Sequence, residues 1–410
     1  MPAAGGYPRR QRPRHLAGRD GMPIEAMLTD VHVSSAVAGL RDLGRAGVGV
    51  LALGDGWRSA GLWSRYARRR ATAPPSDSDP AGFVRAVGRV ADVHGPLVVY
   101  PGCEASLQAL LRTPLPSPRI TLPYPAAERV EPLRDKRRLP GLAAAAGLRA
   151  PATLAETSLA GLVAAELPPP YVVKPLGPGG PPFNSAVVVE HADDLAGLAR
   201  LAGAQAPALA QEYVAGPQVS VALVVDRDGR VVERFQHRVV RMSPPEGGAT
   251  TLAVSVAPDE ALVARAAAML ASAGYWGLAQ LDVVLDPSRP ACITDVNPRY
   301  YLSMPLASAC GVNLPAAWHR LATDRAARAP ADPPAYATGV AYRWWAVDVH
   351  IRPGRLRPQR GRHVGPLWDS RDPVAASMLS GQAVHRRLTA LARRMGREHR
   401  PIPRSPTDGG

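Results

Sequence analysis

Short apolar runs and helical patterns alternate between residues 27 and 100. Residues 36–47 (AVAGLRDLGRAG) space their apolar side chains three and four positions apart and end at a glycine, which predicts an amphipathic helix. Residues 48–53 (VGVLAL) predict a short buried strand, and residues 80–100 repeat the helix and then the strand. This alternation predicts a parallel sheet with crossover helices, which is an α/β domain.

Farther along the chain the pattern changes to strands that follow one another with fewer helices. Strands are predicted at 171–175 (YVVKP), 186–190 (AVVVE), 208–214 (ALAQEYV) and 218–226 (QVSVALVVD), with helices at 191–203 and 258–275. Residues 278–300 predict two strands around a turn at 286–290. This order is typical of α+β structure. The Pro-rich stretch at 113–125 predicts a linker between the two regions.

Composition and charge limit the classes of function. The net charge is +15, but the excess is concentrated in the first 20 residues and beyond about residue 350, and no basic stripe is interleaved with aromatic residues. This favours a solvated, arginine-rich surface over nucleic-acid binding, which stays an alternative through the basic tails. No apolar run reaches the roughly 18–20 residues of a membrane span, and no apolar signal region follows the basic N-terminus. The three cysteines, widely spaced, fit a reducing compartment, so we expect a cytoplasmic protein.

Lysine is almost absent from this arginine-rich chain. The sequence contains two lysines, Lys136 in LRDKRRL and Lys174 in YVVKPLG. All other residues in its Lys and Arg total are arginine. A lysine ammonium is a compact charge on a slim stem, whereas a guanidinium is a flat fork that needs wider acceptors. Retention of lysine at two positions therefore indicates a tight anion-binding cleft. The alternative is that both lysines lie on the surface and were retained by chance.

The segment QLDVVLDPSRPACITDVNPR carries the candidate metal ligands. Asp295 and Asn297 are two positions apart on a predicted strand and so share a face, and Asp282 lies on the neighbouring strand across the turn. These oxygen donors suit Mg²⁺ (or Mn²⁺), which keeps some water and binds substrate phosphates. Arg299 follows and could stabilise negative charge. A plain Asx turn before the proline is the alternative interpretation.

At these residues the chain resembles the ATP-grasp superfamily, and more narrowly the predicted carboxylate–amine ligase branch, which is related to D-aspartate ligases and to the ATP-binding domains of carbamoyl-phosphate synthase. The family's metal motif is an acidic residue on one strand followed by Glu-x-Asn-Pro-Arg on the next, which matches Asp282 and DVNPR with Asp295 in place of the usual Glu. RDKRRL, YVVKP, QEYVAGPQVSV and NPRYYLSMPLASACGVNLP also match in the family's order, and the likeness covers roughly residues 30–380.

The resemblance implies roles for further residues. It implies that both lysines contact ATP phosphates and that an adenine edge bonds the main chain at Glu212 and Val214. Gln211 would flank the adenine, and Gln218 stands where the family carries a Glu that faces the ribose.

Two arginines, one loop and one histidine outside these motifs are further candidate positions. Arg241, in RMSPPEGGAT, is a candidate phosphate clamp and a catalytic residue together with Arg299. Arg343, in YRWW, is a candidate holder of the substrate carboxylate, with a structural role as the alternative. Residues 177–186 stand where the family has a glycine-rich phosphate flap, but prolines in this stretch leave a plain loop as an equal alternative. His237 is expected to be structural, because no acidic partner is evident.

The expected architecture is therefore ATP-grasp, α/β and α+β, with an N-terminal parallel-sheet pre-ATP-grasp domain. We predict a disordered basic N-terminus at 1–26, the pre-ATP-grasp domain at 27–125, a small lobe with the phosphate loop at 126–213, a large lobe with the metal site at 214–330, and a C-terminal extension at 331–410.

The expected activity is that of a carbon–nitrogen bond-forming ligase that uses ATP and Mg²⁺ to join a small-molecule carboxylate to an amine through an acyl phosphate. Neither a membrane nor a nucleic acid is an expected partner, and a homodimer is compatible with the family. A nucleotide-binding regulator that has lost catalysis is the main alternative, because Asp295 and Gln218 depart from the family pattern.

Overall fold

The structure is a computed structural model that describes residues 23–176, 183, 186–243, 248–324, 327, 329–330, 333–351 and 363–398. It contains three sheets, of five, seven and four strands. The mixture of one parallel sheet and two largely antiparallel sheets is the α/β and α+β architecture that the sequence predicts.

The five-stranded sheet is wholly parallel, with the strand order β3-β2-β1-β4-β5. Its strands are β1 (Ala26–Leu28), β2 (Val50–Gly54), β3 (Ala67–Thr72), β4 (Leu97–Tyr100) and β5 (Ile120–Thr121). Its helices are α1 (Ser34–Arg45), α2 (Pro80–His94) and α3 (Glu104–Arg112), with a 3₁₀ turn at Ala60–Trp63. Helix α2 begins where the Asp79 carboxylate accepts the Gly82 N–H (2.8 Å), and it ends at Gly95, whose φ of 96° favours glycine.

The Pro-rich stretch predicted as a linker contributes a strand to this sheet. Ile120 pairs with Leu97 in parallel register, so β5 forms the edge next to β4. The prolines on either side of β5 do not prevent this, because an edge strand needs only one row of hydrogen bonds.

The four-stranded sheet is antiparallel, with the order β6-β9-β7-β8. Its strands are β6 (Thr153–Ser158), β7 (Tyr171–Pro175), β8 (Val187–Val189) and β9 (Pro207–Glu212). Helices α4 (Ala127–Arg134) and α5 (Leu139–Ala145) precede it, and α6 (Leu159–Ala164) and α7 (Ala192–Ala202) belong to it.

The seven-stranded sheet has the order β14-β13-β10-β11-β12-β15-β16 and is antiparallel except at its β15–β16 edge. Its strands are β10 (Gln218–Val225), β11 (Val231–Ser243), β12 (Ala249–Ser255), β13 (Gly277–Val284), β14 (Cys292–Asn297), β15 (Ala341–Arg343) and β16 (His363–Val364). The remaining helices are α8 (Glu260–Ser272), α9 (Met304–Ala309), α10 (Leu314–Thr323), α11 (Trp345–Ile351) and α12 (Pro373–Glu398).

A cluster of buried aromatic rings joins the parallel sheet to the seven-stranded sheet. Trp318 on α10 lies edge-on to Tyr100 of β4 and to Tyr124, with ring centroids 4.9 and 5.2 Å apart. Its indole N–H donates to the Pro123 carbonyl (3.0 Å), so the polar end of this buried ring is satisfied. This packing fixes the parallel sheet beside the strands that carry the candidate site.

Candidate active site

A cavity of about 530 Å³ lies between the four-stranded and seven-stranded sheets. Strands β7 and β9 line one side of it, and strands β12, β13 and β14 line the other. Ten of the twelve residues singled out from the sequence line this cavity: Lys136, Lys174, Gln211, Glu212, Val214, Gln218, Asp282, Asp295, Asn297 and Arg299. The fold therefore gathers residues that are up to 163 positions apart in the chain (299 minus 136) around one space.

The acidic hairpin β13–β14 forms one wall of the cavity. In its antiparallel register Asp282 lies opposite Asp295, and Gln280 lies opposite Asn297, so the four side chains share a face. The register then shifts, and Thr294 has no partner on β13. Bulges of this kind re-aim backbone groups next to functional sites. Here the Thr294 carbonyl accepts a hydrogen bond from Lys174 Nζ (2.9 Å).

Both lysines point at this hairpin from different elements. Lys174 extends from β7 to the Thr294 carbonyl, and Lys136, which lies between α4 and α5, forms an ion pair with Asp295. Two ammonium groups and two carboxylates thus meet at one end of the cavity, which is the charge pattern needed to hold an anion and a cation side by side.

Burial and mutual charge shift the pKa values in this cluster. Burial and then the neighbouring Asp295 raise the pKa of Asp282 to about 6. Burial also raises the pKa of Asp295, but the charges of Lys136 and Lys174 outweigh it and the pKa is lowered. Burial and then Lys136 lower the pKa of Lys174 to about 8. A cation bound at the carboxylates would favour the charged form of Asp282, and a polyanion bound at the lysines would favour the charged form of Lys174.

A polar network orients the hairpin side chains. Gln280 Nε2 donates to Asp282 Oδ1 (2.6 Å) and to the Ser220 hydroxyl, and Gln280 Oε1 accepts from Asn297 Nδ2 (2.9 Å). Arg299 Nη2 donates to Asn297 Oδ1 (2.9 Å). Gln280 was not singled out from the sequence, although its place two residues before Asp282 on the same strand was a signal that it shares the face.

Arg299 also connects the cavity to the parallel sheet. Its Nε donates to Glu104 Oε2 (3.0 Å), and Glu104, which begins helix α3, also forms an ion pair with Arg134. Glu104 was missed in the sequence analysis because its partners are 30 and 195 residues away and no local motif marks it.

The opposite end of the cavity is lined by strand β9 and the residues that follow it. Gln211 is buried there, and its Oε1 has no hydrogen-bond partner among the described residues. The Glu212 carboxylate accepts from Arg149 Nη1 (3.1 Å) and from the Ala152 N–H (3.2 Å), so this side chain is already engaged. Gln218, at the start of β10, completes this end. A buried acceptor without a donor favours a ligand that carries an N–H group, such as an adenine amino group.

Arg241 and Arg343 are not brought to this cavity. Both bind the buried carboxylate of Asp348 in α11: Arg241 donates from Nε and Nη2 (2.7 and 2.8 Å), and Arg343 donates from Nε (2.5 Å). Burial raises the pKa of Asp348, but these hydrogen bonds outweigh it and lower the pKa. Asp348 lies 107 residues beyond Arg241, so no local pattern joins these two, whereas it lies only five residues beyond Arg343. The structure therefore supports a structural role for this pair.

The predicted phosphate flap lies largely outside the described residues, as does Gly247 of the RMSPPEGGAT loop. Gly248, Ala249 and Thr250 of that loop line the cavity. So do Tyr301 and Ser303, which follow the DVNPR motif. The Tyr301 hydroxyl is buried without a partner among the described residues.

His237 lies in the core next to the cavity. It is fully buried, its Nε2 is 3.3 Å from the Ser303 hydroxyl, and burial lowers its pKa to about 4. No carboxylate partner is found for it among the described residues. The geometry is that of a neutral structural histidine.

This histidine makes stability depend on pH. The unfolded imidazole takes up a proton near pH 6.5, whereas the folded one stays neutral down to about pH 4, so its contribution is complete above pH 6.5 and is lost as the pH falls. Between pH 7 and pH 5 the loss should be about 2 kcal/mol in the free energy of unfolding. The loss that urea unfolding measures between the two pH values should be larger by this amount in the wild type than in His237→Gln, because the other titrating groups contribute equally to both proteins. Equal losses would contradict the assignment.

Two features are absent from the described residues. No helix among them has the length and apolar character of a membrane span. No group of three or more His, Cys, Asp or Glu side chains within them is placed to hold a metal ion. Any cation on the hairpin would therefore rest on two carboxylates and an amide, and would need further oxygen ligands from a bound substrate and water.

Comparison with known proteins gives a fold but no sequence family. No protein-family model matches the chain, and no curated protein matches it. Solved structures do match. The biotin carboxylase–β,γ-ATP complex from Campylobacter jejuni is 15% identical over 78% of this chain and 74% of its own, with a TM-score of 0.55. The biotin carboxylase domain of Hydrogenobacter thermophilus 2-oxoglutarate carboxylase, solved with MgADP, ADP and bicarbonate, is 14% identical over 76% and 72%, with a TM-score of 0.52.

Rhizobium etli pyruvate carboxylase is 17% identical over 73% of this chain, with a TM-score of 0.53, and this chain spans 28% of that protein's length. Biotin carboxylase domains have the ATP-grasp fold, so the chain has this fold too, as its sequence motifs predicted. At these identities the likeness concerns the fold.

Proposed function

We propose that this ATP-grasp protein is an ATP-dependent ligase that joins a carboxylate to an amine through an acyl phosphate and releases ADP and phosphate. The observation that carries the proposal is the meeting of Lys136, Lys174, Asp282, Asp295 and Asn297 around one cavity between two sheets. The sequence motifs, rather than the structural matches, favour the carboxylate–amine ligase branch related to D-aspartate ligases.

The cavity fits a nucleotide with its triphosphate toward the hairpin. The unpartnered Gln211 Oε1 and the main chain of Glu212 and Val214 would receive the adenine edge. Gln218 would face the ribose. The ammonium groups of Lys136 and Lys174 would contact the phosphates as point charges, a role for which lysine suits a narrow cleft better than arginine does.

The hairpin fits Mg²⁺ on the chemistry of its donors. Asp282 and Asp295 face each other, the charge of Asp295 helps to raise the pKa of Asp282, and Asn297 adds an amide oxygen. When bound, Mg²⁺ would neutralise charge on the phosphates. In the structure Asp295 is paired with Lys136, so the lysine would have to shift toward the phosphates as the metal binds.

The chain's own residues would position the reactants and stabilise charge. In the first step a substrate carboxylate oxygen bonds to the γ-phosphorus as the bond to the ADP oxygen breaks. In the second step the amine nitrogen bonds to the carbonyl carbon, loses a proton and expels phosphate. Arg299, held by Glu104 and Asn297, would face the charge that develops on the transferred group. Closure of the two sheets around the site would keep water from the acyl phosphate.

Isotope transfer tests the proposal directly. Acids labelled with ¹⁸O in the carboxylate are incubated with the protein, ATP, Mg²⁺ and a panel of amines, and the released phosphate is analysed by mass spectrometry. We expect ADP release that needs both acid and amine, with one ¹⁸O atom in each phosphate, because the carboxylate oxygen becomes the bridging oxygen of the acyl phosphate. ATP binding without ADP release across a broad panel would instead support a nucleotide-binding regulator.

A further inference from the structure

A second cavity, of about 710 Å³, lies on another face of the molecule. It is lined by helix α1, helix α9 with the residues that follow it, the start of α11, residues 363–371 and helix α12. Three tryptophans line it: Trp344, Trp345 and Trp368. We call it the tryptophan cavity. A volume of this size accommodates a small organic ligand.

The tryptophan cavity is separate from the candidate active site. The two cavities share no described lining residue. The segment from Tyr301 to Ala309 divides them, since Tyr301, Leu302 and Ser303 line the active site whereas Pro305, Ser308 and Ala309 line the tryptophan cavity. Asp348 connects the two regions through its ion pairs with Arg241 and Arg343. Arg343 lines the tryptophan cavity, and Arg241 belongs to β11, which pairs with the strand β12 that carries Thr250 of the active site.

Two buried hydrogen-bond donors on the wall of this cavity are unsatisfied. Arg41 is 4% exposed, and its Nε and Nη1 donate to Asp372 (2.9 Å) and to the Leu367 carbonyl (3.4 Å), but its Nη2 has no partner among the described residues. The Trp344 indole N–H is buried and has none within the same part of the chain. Buried donors without acceptors are uncommon, and both belong to side chains that line the cavity.

The charges around the cavity restrict the charge that this ligand can carry. Arg41 pairs with Asp372, Arg45 pairs with Asp42 and Asp369, and Arg241 and Arg343 share Asp348, so these four arginines are balanced by four carboxylates. Arg371, which also lines the cavity, adds one further positive charge. A phosphate with two negative charges would find too little unpaired positive charge. A single carboxylate needs only the free N–H groups of Arg41 and Trp344.

The tryptophan rings indicate the shape and polarity of the part of the ligand that does not carry the carboxylate. Trp345 stacks on the Arg343 guanidinium, with 3.7 Å between the guanidinium carbon and the ring centroid, and Trp368 is 60% exposed at the mouth of the cavity. Flat aromatic faces next to hydrogen-bond donors favour a flat apolar body with a polar end. We propose that the tryptophan cavity binds a small aromatic carboxylate, with its carboxylate on Arg41 and Trp344 and its ring against Trp345 and Trp368.

Binding can be measured on the full chain without nucleotide, so the result does not depend on the proposed ligase activity. Three of the protein's seven tryptophans line the cavity, and their fluorescence reports occupancy. Titration with benzoate, phenylacetate and indole-3-acetate should show saturable binding for at least one acid. The corresponding amide should bind about tenfold more weakly, since it lacks the charged acceptor.

Two variants and a matched control locate the site. Trp368→Ala should weaken binding by about fivefold to tenfold, and Ala309→Leu should weaken it at least as much by narrowing the cavity without removing a hydrogen bond. Trp57 is equally exposed (61%) but lies outside the cavity, so Trp57→Ala should leave the affinity unchanged.

The proposal is wrong if no acid binds below about 10 mM, a concentration above which affinity is too weak to indicate a built site. It is also wrong if Trp57→Ala weakens binding as much as Trp368→Ala does, or if Ala309→Leu binds like the wild type. Adding ATP, Mg²⁺ and an amine then shows whether the bound acid is a substrate or an effector. Consumption of the bound acid identifies it as a substrate and its recovery unchanged identifies it as an effector, and both results support the site.

Discussion

Replacement of Asp295 by alanine is expected to lower kcat by at least about 10³-fold while the protein stays folded. Asp295 is one of two carboxylates on the hairpin face, and it also holds Lys136. Its loss would remove a metal ligand and free Lys136 from its position. The measurement is the rate of ADP release with saturating acid, amine and Mg²⁺, together with thermal unfolding of both proteins.

Asp286 provides a matched control for this variant. It lies in the turn of the same hairpin, where its carboxylate accepts from the Ser288 N–H (2.9 Å), and it does not line the cavity. Asp286→Ala should therefore keep wild-type turnover within about twofold, as expected for a surface substitution away from the site. Asp295→Glu, which restores the residue usual in the family, should retain activity. Wild-type turnover in Asp295→Ala would rule out the hairpin as the metal site.

Conversion of Lys174 to arginine is expected to reduce kcat/KM for ATP by at least about 10²-fold, although the charge is kept. The Lys174 ammonium reaches between β7 and the bulge to bond the Thr294 carbonyl at 2.9 Å, with Lys136 and Asp295 close by. A guanidinium is wider than an ammonium and would have to displace these groups. The measurement is kcat/KM with ATP varied, at a fixed acid and amine.

The reverse exchange at a surface position controls for a general effect of swapping these residues. Arg138 is exposed, and its partner is Asp135 at 3.8 Å, so Arg138→Lys should leave kcat/KM unchanged. Lys174→Met, which keeps the length of the side chain but removes the charge, should be at least as impaired as Lys174→Arg. If Lys174→Arg had wild-type activity, the explanation for the two retained lysines would be wrong.

Local patterns in the sequence were sufficient for the parts of the site that lie within one hairpin. The two-residue spacing of Asp295 and Asn297 predicts a shared face, and the turn predicts Asp282 across from them, because strand geometry has a fixed period. The register bears out this geometry. The bulge at Thr294, which aims a carbonyl at Lys174, could not be predicted, because it depends on the packing of β7 against the hairpin.

Long-range partners could not be predicted from the sequence. Arg241 had no visible acidic partner, and the structure places it on Asp348, 107 residues away, in a helix that the sequence pattern did not predict. Glu104 contacts Arg299 although the two lie 195 residues apart in the chain. The tryptophan cavity is assembled from five separate parts of the chain, so no single motif marks it. Such contacts arise from tertiary packing rather than from local periodicity.

The central claim is that the triphosphate of ATP lies between the two lysines and the acidic hairpin. A crystal structure of the full chain with Mg²⁺ and a non-hydrolysable ATP analogue tests it most directly. We predict phosphate oxygens within hydrogen-bond distance of Lys136 and Lys174, a metal on Asp295 and Asp282, and the adenine against Gln211. A nucleotide bound elsewhere, with these residues left as they are in the free protein, would contradict the account.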